Sequence, residues 1–270
     1  MIVVSVCSLK GGVGKTSVVL GLASAALARG VPTLVVDLDP QADATMGLDV
    51  VDRPKHTVAD VLSAPRRTAL DSAVATSGWT AEGGGTLDVM VGTVEAAALD
   101  GPRIGERAVH RLETALTRAT DYRLVLVDCP PSFGALTRTG LVASQRALVV
   151  SEPALFSVTA ADRALRSIDE LRRTTSPDLQ PLGVVVNRYR DRSPEHRYRL
   201  AELQQMFGPL VLSPSLPERS ALQQSQGASS PVHRWPGAAA AELSEAFDAH
   251  LARLLRVANR RRSAAASPRA

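Results

Sequence analysis

The stretch LKGGVGKTS, residues 9–17, decides how the rest of this sequence is interpreted. It follows a short apolar run at residues 2–6, typical of a buried strand, and leads into a helical pattern at residues 15–29. Glycines let consecutive backbone N–H groups turn inward around phosphate oxygens, and a helix start adds partial positive charge. In this setting Lys15 is expected to reach the β- and γ-phosphates of a nucleotide, and the Thr16 hydroxyl to ligate Mg²⁺. The segment therefore predicts a phosphate-binding loop.

Similar apolar runs recur along the chain and alternate with helical patterns. The predicted strands are residues 2–6, 33–36, 87–91, 124–127, 147–150 and 182–186, and the predicted helices are residues 15–29, 108–119, 160–173, 195–206 and 238–257. Strands that are apolar on both faces are typical of a parallel sheet covered by helices on both sides. We therefore predict an α/β fold, a doubly wound, mostly parallel sheet flanked by helices. One domain would span residues 1–258, with an excursion from the sheet at residues 53–85 and a basic, disordered tail at residues 259–270.

Composition narrows the class of protein. The chain has 270 residues, of which 45% are hydrophobic and 21% charged, as expected of a soluble globular protein. Its apolar stretches are too short for a membrane helix, which excludes an integral membrane protein. The first residues lack the features of a signal peptide, so we expect a cytoplasmic protein. Cys7 and Cys129 form no CxxC pair, and neither disulfides nor a zinc site are expected.

The positive charge is unevenly placed. The net charge is +4, but residues 1–248 carry 25 basic and 27 acidic residues, and the excess comes from six arginines after Asp248. Only three of the 31 basic residues are lysines: Lys10, Lys15 and Lys55. Two of these three lie in the phosphate loop, which indicates positions that need a compact ammonium group and not a planar guanidinium.

Two further segments place carboxylates at the ends of predicted strands. The segment LVVDLDPQ, residues 34–41, contains Asp37 and Asp39, and LVLVDCPPS, residues 124–132, contains Asp128. Doubly wound sheets bind ligands at the carboxyl ends of their strands. These acids are therefore expected beside the phosphate loop.

The loop departs from its ordinary form, because Leu9 replaces a glycine and Lys10 adds a second lysine. Together, KGGVGKTS, DLDPQ and VDCPPS resemble the ParA/MinD family of ATPases, whose deviant Walker A loop carries this extra lysine. The match is closest to the ParA-type, Soj-like partitioning ATPases and covers roughly residues 1–257. Three places differ from the common family pattern: Leu9 stands where Gln is usual, Asp43 stands where Asn is frequent, and the Thr139-Gly140 pair follows the VDCPPS motif.

The resemblance implies ATP and Mg²⁺ as cofactors of a slow, partner-stimulated ATPase. It implies catalytic roles for Lys10, Lys15 and Asp39, with Asp39 positioning the attacking water. The residues implied near the metal are Thr16, Asp39 and Asp128. The residues implied to contact ATP are Lys10, Gly11, Gly12, Val13, Gly14, Lys15, Thr16, Ser17, Asn187 at the adenine, and Pro217 and Glu218 near the base.

The resemblance also implies partners. Relatives form an ATP-bound homodimer in which the residue matching Lys10 reaches the partner's phosphates. The dimer binds double-stranded DNA without sequence preference, is associated with the nucleoid, and is released when a ParB-like protein stimulates hydrolysis. Candidate DNA contacts here are the second basic stretch, residues 253–262, and a first arginine cluster, which fits a solvated helix face equally well: Arg188, Arg190, Arg192, Arg197 and Arg199.

Two alternatives use the same nucleotide fold. One is a MinD-like or polar-localisation ATPase that positions a protein or membrane-associated cargo. It is suggested by an apolar helical face near the C-terminus, for which packing on the sheet is the favoured interpretation: Leu243, Phe247, Leu251, Leu254, Leu255 and Ala258. The other is a metabolic ligase or a cluster-assembly protein. An iron–sulfur cluster-assembly protein would need cysteine ligands that the chain lacks. The sequence does not exclude a ligase.

Overall fold

A computed structural model of the chain describes residues 1–81 and 85–266, with side chains up to residue 257. In these residues seven strands form one sheet: β1 (Ile2–Cys7), β2 (Thr33–Asp37), β3 (Val74–Thr76), β4 (Leu87–Met90), β5 (Leu124–Asp128), β6 (Arg146–Ser151) and β7 (Gln180–Val186). The strand order is β3-β4-β2-β5-β1-β6-β7, and every pair is parallel except β3–β4. The predicted mostly parallel sheet is confirmed.

Ten α-helices connect or flank these strands in the described residues. They are α1 (Lys15–Ala28), α2 (Asp43–Gly47), α3 (Val58–Ser63), α4 (Glu106–Val109), α5 (Arg111–Leu116), α6 (Ala135–Val142), α7 (Leu155–Thr174), α8 (Pro194–Phe207), α9 (Ser220–Gly227) and α10 (Ala238–Ala266). All six predicted strands and all five predicted helical segments are present, with shifted boundaries.

Three further features differ from the sequence prediction. The single helix predicted at residues 108–119 is two short helices, because the backbone of His110 (φ −90°, ψ 6°) leaves helical geometry between α4 and α5. Residues 53–85 are not only an excursion, because β3 pairs antiparallel with the edge of the sheet. Helix α10 continues to Ala266, so the predicted tail from residue 259 is helical that far, and residues 267–270 lie outside the described part.

The helices bury the sheet from both sides. One apolar layer joins α1, α9 and α10 to the sheet, and the other joins α3, α5, α6, α7 and α8. A parallel sheet needs this double cover, since both faces of its strands are apolar. The layers also set where ligands can bind, because they leave the carboxyl edge of the central strands β2, β5 and β1 as the open rim.

Helix α10 packs closely against α1. A Cβ atom at Gly21 would lie 2.1 Å from the ring of Phe247, so only glycine allows this approach. The apolar face predicted for this helix is buried at four of its positions: Leu243, Phe247, Leu251 and Leu254. Ala258 lies outside the side chains described. Among the described residues, no helix is both long and apolar enough to cross a bilayer.

Candidate functional site

The loop between β1 and α1 wraps around the start of the helix. Gly12 and Gly14 have φ angles of 78° and 86°, in the left-handed region that residues with a Cβ seldom adopt. Gly14 is the N-cap of α1 and has no capping side chain, and the first turn contains no acidic residue. The first N–H groups of the helix are therefore available to an anion. Lys15, the first helical residue, is buried at 6% exposure.

The carboxylates predicted beside this loop meet at the carboxyl edge of the sheet. Asp37 ends β2, Asp128 ends β5, and the two are paired in the register of these neighbouring strands. The Thr16 hydroxyl donates a hydrogen bond of 2.7 Å to Oδ2 of Asp128. The other oxygen of Asp128, Oδ1, is buried without a hydrogen-bond partner. The predicted phosphate loop and the strand-end acid Asp128 are thus in direct contact.

This oxygen set fits Mg²⁺ in one particular way. No group of three or more His, Cys, Asp or Glu side chains that could hold a metal unaided occurs in the described residues. Mg²⁺ commonly binds through one or two carboxylates together with substrate phosphates and water. An orphaned buried oxygen on Asp128 beside the Thr16 hydroxyl matches that partial set, so the site fits the ion when a nucleotide supplies further oxygens.

The pKa values of the site's carboxyl groups also favour the binding of a cation. Burial raises the pKa of Asp128 well above its usual value and Asp37 raises it further, whereas the Thr16 hydrogen bond and Lys15 lower it. Burial also raises the pKa of Asp37 to about 6, against hydrogen bonds from Thr45. Ionised carboxylates are therefore disfavoured in the free site, and a bound cation would relieve that cost.

Asp37 and Asp39 have different surroundings. Oδ2 of Asp37 accepts hydrogen bonds of 2.8 Å from both the backbone N–H and the hydroxyl of Thr45. Oδ1 of Asp37 accepts from the N–H of Asp39 at 3.3 Å, which fixes the turn carrying Asp39. Asp39 accepts from the N–H of Gln41 and is 8% exposed. Asp37 thus positions Asp39, which lies close enough to Asp128 to raise the pKa of that carboxyl group.

Lys10 is held inside its own subunit. Its Nζ donates to the hydroxyl of Ser157 at 3.0 Å and lies 3.6 Å from Oε2 of Glu152. Nη1 of Arg188 lies 2.7 Å from the other oxygen of Glu152 and also donates to the carbonyl of Gly12 at 2.8 Å. Glu152 therefore links Lys10, through Arg188, to the backbone of the phosphate loop.

The residues predicted to lie near the adenine base of ATP have different surroundings. Asn187, at the end of β7, is buried and donates from Nδ2 to the carbonyl of Val13 at 2.8 Å. A Cβ at Gly14 would lie 2.3 Å from this nitrogen, a second reason for glycine there. Pro217 bridges to Tyr189 beside β7, and Glu218 follows it at the surface. Asn187 thus supports the loop, and its contact with adenine stays a prediction.

The first arginine cluster is largely neutralised. Three of its members form ion pairs: Arg188 with Glu152, Arg190 with Glu218, and Arg199 with both Glu195 and Glu202. In the second stretch, the side chains of Arg260, Arg261 and Arg262 lie outside those described. Only Arg197 and Arg199 lie on a helix, α8, so the helix-face interpretation fits two of the five members, and the ion pairs leave less positive charge for phosphate binding.

Sequence reasoning did not assign four of these residues. Thr45 and Ser157 are single hydroxyls in helices and give no signal in the sequence. Glu152 directly follows β6, so the strand-end rule applied to Asp128 also identifies it. Arg188 was placed in a surface cluster, and only the structure shows that it contacts the phosphate loop.

Comparison with known proteins shows the family to which this chain belongs. A family model described as an AAA domain matches residues 1–181. The chromosome-partitioning ATPase Soj of Thermus thermophilus is 31% identical over 226 residues, covering 82% of this chain and 83% of Soj. The chromosome partitioning protein ParA of Caulobacter vibrioides is 28% identical over 235 residues, covering 85% of each chain.

A solved structure has the same fold. Cobyrinic acid a,c-diamide synthase from Mycobacterium smegmatis, with bound ADP and magnesium, superimposes with a TM-score of 0.77 at 25% identity. The match covers 95% of this chain and 94% of the synthase. The shared fold therefore extends beyond the residues that the family model matches.

Proposed function

Since the chain belongs to the AAA-domain family, with ParA and Soj partitioning ATPases among its relatives, we propose that it is an ATP hydrolase of the ParA type. It would act in chromosome or plasmid partitioning as a slow switch that dimerises with ATP. The family resemblance predicted from the loop and the two acidic motifs is confirmed, whereas the activity is our proposal.

The contact between Thr16 and Asp128 carries this proposal. The two residues are 112 positions apart in the sequence, yet the fold brings the hydroxyl within hydrogen-bond distance, 2.7 Å, of the carboxylate. The buried Oδ1 of Asp128 has no partner in the described structure, as expected of a group that binds a further ligand. Thr16 and Asp128 would hold Mg²⁺, with Asp39 nearby. When bound, the ion supplies positive charge to the β- and γ-phosphate oxygens.

The chain's own groups would then carry out the following roles. The N–H groups of residues 11–17 bind phosphate oxygens, and Lys15 neutralises charge on the transferring γ-phosphoryl group. Asp39 accepts a hydrogen bond from the attacking water and orients it. Asp37 keeps Asp39 in place through the turn described above.

Lys10 would act across a dimer. In the structure it is turned toward Glu152 and Ser157 of its own chain. Leaving those partners would let its ammonium reach the phosphates of a second subunit, so that ATP is enclosed between two copies. This makes hydrolysis depend on dimerisation and gives the switch its two states.

We further propose that the ATP dimer binds double-stranded DNA without sequence preference and is released when a ParB-like protein stimulates hydrolysis. The protein would then be cytoplasmic and associated with the nucleoid. The MinD-like alternative loses the feature that suggested it, because the apolar face of α10 packs inside the molecule instead of lying at the surface.

Sedimentation with DNA tests the switch. Wild type should co-sediment with duplex DNA in ATP but not in ADP or without nucleotide, and Lys15→Ala should fail in every condition. Lys10→Ala should lose ATP-dependent dimerisation in light scattering, with Lys55→Ala as the matched control.

Hydrolysis is tested separately. Asp39→Ala should bind ATP normally and release phosphate about 10²-fold more slowly. Undiminished turnover would remove Asp39 from its proposed role. DNA binding that ignores the nucleotide would refute the partition switch.

A further inference from the structure

A cavity of about 910 Å³ lies between the segment that follows α3 and the helices α4 and α5. Four arginines line it: Arg66, Arg67, Arg107 and Arg111. We call this cavity and its arginines the basic cleft. The first two arginines are some 40 positions from the last two, so no run of sequence reveals the cluster.

The walls of the basic cleft are well held. Helices α3 and α5 belong to the same apolar layer and contribute buried residues to it, among them Leu62 and Leu112. Arg118, just after α5, donates to the carbonyls of Pro65 and Thr68 and so ties the segment carrying Arg66 and Arg67 to the helix. The arginines therefore project from a fixed frame.

The charge of the basic cleft is not neutralised within the chain. Among the described residues none of its four arginines forms an ion pair, and Arg66, Arg67 and Arg107 are exposed. Glu106 is the only carboxylate in the lining. This contrasts with the first arginine cluster, in which three of the five guanidinium groups are paired with glutamates of the chain itself.

We propose that the basic cleft binds the phosphate backbone of double-stranded DNA; this deepens the DNA binding in the proposed function and rests on it. Guanidinium groups match phosphate oxygens in pairs and add affinity without reading bases. Single strands are disfavoured, because the lining has no Phe, Tyr or Trp on which bases could stack. An acidic peptide is disfavoured, because Ala64 and Pro65 are the only apolar residues in the lining.

The basic cleft is separate from the nucleotide site. None of the phosphate-loop residues, nor Asp37, Asp39 or Asp128, lines it. Charge reversal in the cleft should therefore leave ATP binding and DNA-independent hydrolysis unchanged. That separation allows DNA affinity to be tested in an otherwise active protein.

The test uses three charge-matched double variants of the full chain. Arg66→Glu/Arg67→Glu changes two exposed loop residues, and Arg107→Glu/Arg111→Glu changes the helical side. Arg163→Glu/Arg166→Glu on α7 removes the same charge elsewhere on the surface. Circular dichroism checks that each variant is folded, and duplex DNA affinity is measured in ATP at several salt concentrations.

Both cleft variants should bind DNA at least about tenfold more weakly than the α7 control, with the slope of log affinity against log salt smaller by about 2 for two lost phosphate contacts. Cleft variants that match the control would overturn the cleft proposal while leaving the switch intact. Wild type that fails to bind DNA in ATP would refute the DNA part of the proposed function and the cleft with it. Loss of binding by only one cleft variant, the other being folded, would also contradict a shared cleft.

Discussion

At the residue scale, Glu152 stands out because its two oxygens contact two cations of the nucleotide site. One oxygen faces Lys10 at 3.6 Å, and the other binds Arg188 at 2.7 Å. The carboxylate side chain is 19% exposed, so solvent weakens both pairs. In the proposed dimer, Lys10 would have to leave this partly screened ion pair, and the free energy lost would be small.

Replacement of Glu152 by Gln should favour the proposed dimer. Without the carboxylate, Lys10 should leave its own chain more easily, and the protein concentration needed for ATP-dependent dimers should fall about two- to fivefold, as expected for one partly exposed ion pair. Analytical ultracentrifugation in ATP measures this. Asp162→Asn, which removes the partner of Arg166 on α7, is the matched control. Weaker dimerisation of Glu152→Gln would show that Glu152 supports the dimer instead of opposing it.

At the element scale, α10 packs against α1, the helix that follows the phosphate loop. Gly21 lies in the middle of α1, the helix that starts at Lys15, and the ring of Phe247 lies directly over it. Helix α10 therefore packs on the same helix whose first turn is expected to bind phosphate.

Gly21→Ala should destabilise the protein despite the better helix propensity of alanine. The added methyl group would overlap the Phe247 ring, and such overpacking typically costs about 1–3 kcal/mol. Urea unfolding measures the change. Gly227→Ala, at the end of α9 where a Cβ meets no atom within 4 Å, is the control and should stay within about 0.5 kcal/mol of wild type. Equal stability of the two variants would contradict the close packing.

Helix α10 also contains a histidine that is expected to respond to pH. His250 is 4% exposed and both ring nitrogens lack a hydrogen-bond partner in the described structure. Burial lowers its pKa to about 4; the nearby carbonyl of Pro214 opposes this without forming a hydrogen bond of good geometry, and the positive charge of Arg253 lowers the pKa further. The neutral ring is thus favoured in the folded protein.

A depressed pKa in the folded state means that the unfolded chain binds the proton more tightly. The contribution of His250 to stability is present above about pH 6.5 and is lost as the pH falls toward 4, by at most about 3 kcal/mol. The difference in unfolding free energy between wild type and His250→Gln should therefore shrink over this window. His56→Gln, at a more exposed histidine, is the control, and a pH-independent difference at His250 would contradict the prediction.

At the scale of the whole molecule, three carboxyl groups are gathered at the open edge of the sheet, where they lower the stability of the free protein. Asp37, Asp39 and Asp128 share this edge, and the first and last are buried with raised pKa values. The nucleotide-free protein is destabilised by this arrangement, because each ionised group is both desolvated and repelled by its neighbours.

Asp128→Asn should therefore make the nucleotide-free protein more stable, because it removes a buried carboxyl group whose pKa is raised by burial, while abolishing stabilisation by Mg²⁺–ATP. Wild type should gain about 2–3 kcal/mol when Mg²⁺–ATP is present at 100 times its dissociation constant. Thermal unfolding with Mg²⁺–ATP, with ATP and EDTA, and without nucleotide separates the two effects. An Asn variant that is still stabilised by Mg²⁺–ATP to the wild-type extent would exclude Asp128 from the ion site.

The sequence by itself determined the sheet, the phosphate loop and the strand-end acids, because these depend on local patterns: continuous apolar runs, glycines before a helix, and carboxylates after a strand. Strand β3 was not predicted because a strand of three residues has too short a hydrophobic pattern. The helix break at His110 was not predicted because neither glycine nor proline marks it.

Only the tertiary structure decided which charges are paired. Glu152 and Glu218 neutralise two of the arginines that cluster in the sequence. The four arginines of the basic cleft come from two distant segments and form no ion pair among the described residues. Ion pairing depends on distances between side chains from different elements, and those distances exist only once the layers have packed.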